Sequence, residues 1–100
     1  MIDIIVRVVS DKYNVREDEL RSKKTTDGLL LPRQVALFFA AELTSLSGEE
    51  IGTAFCQEVD AVERARNKIK QLITADSQSK RDLALLRTKI KRESGYWGRS

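Results

Sequence analysis

The sequence predicts an all-α protein, a cluster of five to six helices that contains a helix-turn-helix. Three observations carry that prediction. Apolar residues return at helical spacing in segment after segment, and nothing alternates with the period of a strand pair. A central stretch, PRQVALFFAAELTSL, is apolar nearly all round, as expected of a helix buried at the middle of a domain. Ser47 and Glu50 form an S-x-x-E capping box, which opens a short helix, a turn near Cys56 and a longer amphipathic helix.

From the N-terminus, Ile2, Ile5, Val6 and Val9 follow the i, i+3, i+4, i+7 rule, so the first helix is expected over Met1–Lys12. NVREDEL is suited to one short helical turn, because Glu17, Asp18 and Glu19 favour the positive N-terminal end. RSKKTTDG is polar and basic and ends in Gly28, which predicts an exposed loop. Pro32 has no N–H to satisfy and suits the first position of the central helix. The capped short helix carries Ile51 and Ala54 inward and ends near Phe55. The next helix is expected from about Glu58 to Ala75. Val59, Val62, Ile69 and Ile73 share one side, and Asp60, Arg64, Asn67, Lys68 and Gln71 share the other. Ser79 and Asp82 offer a cap for a last helix, which turns Leu83, Leu86 and Ile90 inward and Lys80, Arg81, Arg87, Lys89, Lys91 and Arg92 outward. Gly95 is a natural stop. The domain is expected to span 1–93, with 94–100 as a flexible tail in which Tyr96 and Trp97 are candidate anchors for a protein partner.

Composition bounds the function classes. The 100 residues suit one domain, with 41% hydrophobic and 33% charged residues. The longest apolar run, Val35–Ala41, is far too short to span a bilayer, and no secretory signal pattern opens the chain, so no membrane role is expected. A single cysteine, Cys56, excludes an internal disulfide and fits a reducing cytoplasm; it is expected to be a small, semi-buried side chain. The chain has no histidine, hence no Cys–His pair and no zinc cluster. Carboxylate pairs such as Glu49–Glu50 sit at helix starts, where capping explains them. No enzyme activity, metal or cofactor is expected. The net charge of +3 is unevenly placed: residues 1–63 carry seven Lys and Arg against twelve Asp and Glu, while residues 64–100 carry eleven against three. That asymmetry points to a polyanion partner on the C-terminal side, or to a basic solvated surface.

At LPRQVALFFAAELTSLSGEEIGTAF the sequence resembles the C-terminal DNA-binding domain of DnaA, the bacterial replication initiator. Pro32, Arg33 and Gln34 match the family's central-helix start, Glu42, Leu43 and Thr44 match its Glu-Leu-Thr, and Ile51, Gly52 and Phe55 follow without a gap. Val62, Ala65, Lys68 and Ile69 match its V-x-x-A-x-x-K-I recognition helix, and Leu20, Ser22, Lys23 and Lys24 match its basic loop. The resemblance implies a helix-turn-helix of the DnaA C-terminal, Trp-repressor-like class, bound to double-stranded DNA in a nucleoid-associated, cytoplasmic setting. No ATPase module is expected within these residues, since no G-x-x-x-x-G-K-[ST] loop occurs among them.

Two departures alter what the resemblance implies. The family opens its recognition helix with Gly-Gly-Arg-Asp-His-Thr-Thr-Val, where this chain has CQEVDAV, one residue shorter. Glu58 keeps the acidic position, Gln57, Val59, Asp60 and Ala61 replace the reading residues, and both turn glycines are gone, so a turn of different shape is expected. In the basic loop, Thr25 stands where the family places a minor-groove arginine, and Asp27 where a second often lies. The candidate DNA-binding residues are therefore Lys23, Lys24, Thr25, Arg33, Gln34, Gln57, Glu58, Asp60, Ala61, Arg64 and Lys68. Arg33, Arg64, Lys68 and the two loop lysines are expected at phosphates, and Gln57 is suited to adenine. Either the domain binds duplex DNA with altered or relaxed preference, as a replication-initiation or transcription regulator, or the scaffold has turned to a protein partner or a homodimer.

Overall fold

The computed structural model describes residues 1–95, so the Tyr96–Trp97 expectation falls outside the described residues. Six helices follow in order: α1 (Ile2–Tyr13), α2 (Glu17–Leu20), α3 (Asp27–Leu43), α4 (Gly48–Phe55), α5 (Val59–Ala75) and α6 (Ser77–Glu93). No helix among the described residues is long and apolar enough to cross a membrane.

Helix α3 is the centre, packed by α1, α2, α4 and α5. Its lack of a polar face has a direct cause: Val35, Ala36, Leu37, Phe38, Phe39 and Ala40 are all buried. The rings of Phe38 and Phe39 meet edge to face with centroids 5.4 Å apart. Around them close Ile5, Val6, Val8 and Val9 of α1, Ile51 and Phe55 of α4, Val62, Ala65 and Ile69 of α5, and Leu83, Leu86 and Ile90 of α6. Helix α6 is also tied to α3 by charge. The Arg87 guanidinium donates to both carboxylate oxygens of Glu42, one of them at 2.9 Å, and lies 5.6 Å from the Phe39 ring centre. Arg7 of α1 pairs with Glu93 at the far end of α6.

Several boundaries depart from expectation for identifiable reasons. Helix α3 begins at Asp27, not at Pro32, so Pro32 lies inside it. The N–H that proline lacks would have bonded the carbonyl of Gly28, near the exposed helix start, where the cost of a missing bond is low. The cap of α6 is Asp76 rather than Ser79. Asp76 ends α5 and starts α6, accepting from the Gln78 N–H at 3.3 Å, and Ser79 donates its hydroxyl to the same carboxylate at 2.7 Å. Val59 does not point inward. It is 43% exposed, because it opens α5 at the domain's edge, with one methyl lying over Gly48. The capping box at Ser47 and Glu50 forms as read, with reciprocal bonds of 3.1 and 2.8 Å.

Candidate nucleic-acid interface

The turn between α4 and α5 is built by backbone bonds at the end of α4. The Gln57 N–H donates to the Gly52 carbonyl at 2.8 Å and the Cys56 N–H to that of Thr53 at 3.3 Å, the paired closure of a Schellman ending. This geometry puts Cys56 in the left-handed region, φ 56° and ψ 40°. The turn therefore carries a left-handed non-glycine residue, since neither glycine of the family's turn is present. Cys56 is also exposed rather than semi-buried. The left-handed ending turns the chain away from α4 and leaves the thiol outside the core. Gly52 is needed by contact: a Cβ there would lie 2.5 Å from the Gln57 carbonyl oxygen.

The loop Arg21–Thr26 lies against this turn. The Gln57 side-chain amide donates to the Ser22 carbonyl at 2.9 Å and to the Phe55 carbonyl at 3.3 Å. The Ser22 hydroxyl donates to the Glu19 carbonyl at 2.8 Å and accepts from the Lys24 N–H at 3.2 Å, and the Lys24 ammonium pairs with the Glu19 carboxylate at 2.9 Å.

Arg33 completes the arrangement from beneath. It is only 6% exposed. Its guanidinium donates to the Glu19 carbonyl at 2.8 Å and to the Leu20 carbonyl at 3.3 Å, tying down the end of α2. Burial pushes its pKa down, yet a guanidinium stays charged in any protein environment. Arg33 is thus not the surface cation the sequence led one to expect. It faces inward because the α2 carbonyls, 13 and 14 residues earlier in the chain, need donors there.

Between loop, α3 and α5 opens a notch of about 200 Å³. It gathers six of the eleven sequence-derived residues, Thr25, Arg33, Gln34, Gln57, Ala61 and Arg64. Lys68 is exposed one turn beyond Arg64 on the same side of α5, and Lys23 and Lys24 are exposed on the loop. Glu58 caps the start of α5 from an extended conformation without a side-chain bond, and Asp60 stands exposed in its first turn. Gln57 departs from the adenine-pairing expectation, since its amide hydrogens are directed to two protein carbonyls.

Thr26, Asp27, Leu30 and Leu37 also line the notch and were not among the sequence candidates. The signal for them was present: with α3 started at Asp27, positions 30, 33, 34 and 37 form one helical stripe. Placing the helix start at Pro32 hid it.

A short capped helix, a three-residue turn and a longer helix with an exposed polar side, seated on a buried central helix, define a helix-turn-helix protein. Residues 2–69 match the family described as the bacterial dnaA protein helix-turn-helix, and the chain belongs to that family. Similar relatives are chromosomal replication initiator proteins DnaA. That of Caldanaerobacter subterraneus subsp. tengcongensis is 34% identical over 90% of this chain and 20% of its own length. That of Rhizobium meliloti is 38% identical over 89% of this chain and 19% of its own. That of Oenococcus oeni is 38% identical over 90% and 20%. The chain spans about a fifth of the length of the curated relatives it matches.

Proposed function

We propose that this chain binds double-stranded DNA, placing the exposed side of α5 in the major groove and the loop Arg21–Thr26 beside the adjacent backbone, and that its base preference is altered or relaxed. The observation that carries the reading is the notch where loop, α3 and α5 meet, with Thr25, Gln34, Ala61 and Arg64 on one surface and Lys23, Lys24 and Lys68 exposed on the same two elements. Family membership supports it, since the relatives are named as replication initiators. Lysine and arginine at phosphates supply affinity without sequence information. Sequence is read by the first residues of such a helix. Here those are Glu58 and Asp60, able to accept from cytosine N4, and Ala61, suited to a thymine methyl. A domain of this kind fits a regulator of replication initiation or of transcription.

Fluorescence anisotropy with labelled duplexes tests this. Binding at 50 mM salt and micromolar protein is expected, falling steeply as salt rises, with Arg64→Ala and Lys68→Ala each lowering the salt slope by about 0.9. A chain that leaves every duplex unbound at low salt is not a DNA-binding protein.

A second reading has one specific observation behind it. Leu85 of α6 is 71% exposed and borders a groove between α1 and α6 that also holds Asp11, Lys12, Asp82 and Lys89. A leucine ringed by both signs of charge is self-complementary, which fits a second copy of this chain. Sedimentation across a concentration series would show a dimer that Leu85→Glu abolishes. A monomer throughout removes this reading.

A further inference from the structure

We propose that Gln57 is a positioning residue that clamps the loop Arg21–Thr26 at a fixed distance from the start of α5, and that it does not read a base. This rests on the DNA-binding reading above and adds to it what sets the spacing of the two contacting elements.

The root of the side chain is already fixed, because the Gln57 N–H is held by the Gly52 carbonyl at 2.8 Å. From there the amide nitrogen reaches Ser22, 35 residues earlier in the chain. Among the described residues no other hydrogen bond joins the turn to the loop. Adenine recognition by glutamine needs a free donor and a free acceptor side by side. Here the donor nitrogen serves Phe55 and Ser22, so only the carbonyl oxygen is left and the fork is incomplete.

Ser22 is a suitable anchor point because it is fixed from the other side as well. Its hydroxyl and N–H both bond the Glu19 carbonyl, which Arg33 also holds. A hydrogen bond arriving from Gln57 therefore fixes the path of the whole segment that carries Lys23, Lys24 and Thr25. Loop and helix must meet the duplex together, so a loop held in place in the free protein loses less freedom on binding.

The test uses Gln57→Ala and the near-isosteric Gln57→Glu, which keeps the shape but loses the donor. Limited trypsin digestion reads the loop directly, since Arg21, Lys23 and Lys24 are cleavage points within it. Both variants should be cut there several-fold faster than the parent while the global unfolding midpoint stays close to the parent's. In anisotropy with a panel of duplexes differing at single positions, Gln57→Ala should weaken all of them by a similar factor, about five- to tenfold, and keep their order. A change of preference at one base position with unchanged cleavage would make Gln57 a base reader and overturn the proposal. Unchanged cleavage with unchanged affinity would overturn it too. A parent chain that binds no duplex would end the functional reading and the DNA half of this proposal, while the digestion would still decide whether the clamp exists.

Discussion

Gly52 and Gln57 are in backbone contact: the Gln57 N–H bonds the Gly52 carbonyl at 2.8 Å, and a Cβ on Gly52 would sit 2.5 Å from the Gln57 carbonyl oxygen. The helix-turn-helix angle depends on that approach. Alanine at 52 gains about 1 kcal/mol of helix propensity. It also forces the turn away, and overpacking of this kind costs about 1–3 kcal/mol. With backbone as the obstacle the upper part of that range applies, so Gly52→Ala is expected to destabilise by about 2 kcal/mol in denaturant unfolding. A variant as stable as the parent would show that the turn yields freely.

Cys56 is expected to respond in the opposite direction. A non-glycine residue in the left-handed region costs about 1–2 kcal/mol. Glycine removes that strain but brings about 0.5–1 kcal/mol of extra backbone entropy to the unfolded chain. The thiol is exposed, so little packing is lost. Cys56→Gly should therefore stabilise by about 0.5–1 kcal/mol, seen as a higher denaturant midpoint at unchanged slope, while Cys56→Val should destabilise.

Arg33→Ala leaves the Glu19 and Leu20 carbonyls without their donor in a mostly buried place. The expected loss is about 2–3 kcal/mol. Arg33→Lys should recover only part of it, because an ammonium is one point of charge and cannot reach both carbonyls as the planar fork does. If lysine restored full stability, the fork geometry would be irrelevant.

Two carboxylates are expected to contribute to the acid limb of stability. The Ser79 hydroxyl, helped by the Gln78 and Ser79 N–H groups, holds Asp76 below the usual carboxylate range. Glu19 is lowered chiefly by its hydrogen bond from the Lys24 ammonium. A carboxyl with a lower pKa folded than unfolded contributes stability that is complete above the unfolded value, near 4, and lost as the pH falls through the folded value. The unfolding midpoint should decline below about pH 4. In the Asp76→Asn, Glu19→Gln double variant that decline should be shallower. An equally steep decline would place the linkage in other groups.

The bond between Glu42 and Arg87 joins α3 to α6 across 45 residues of sequence, with both side chains about one-third exposed. A double-mutant cycle with Glu42→Gln and Arg87→Gln should give a coupling near 1 kcal/mol, at the upper end for partly exposed pairs because two parallel bonds and the Phe39 ring fix the geometry. A coupling near zero would leave α6 held by the burial of Leu83, Leu86 and Ile90 and by the Arg7–Glu93 pair.

The sequence by itself determined the helices and the core. The spacing of Ile5, Val6 and Val9, the apolar run around Phe38 and Phe39, and the Ser47–Glu50 box are local patterns, and helix formation depends on residues within a turn or two of each other. The same locality made the family likeness legible, because the matched residues lie along a continuous stretch. Where α3 begins was less legible, since Pro32 is a start signal that the upstream Thr26–Asp27 start overrides. Only the tertiary structure decided what the polar residues do. Arg33 and Gln57 carry the chemistry of a DNA contact in their side chains, yet both donate to carbonyls, 13 and 14 residues away for Arg33 and 35 for one of the two that Gln57 bonds. A donor goes to whatever acceptor folding brings within about 3 Å, and that neighbourhood is set by how the helices pack.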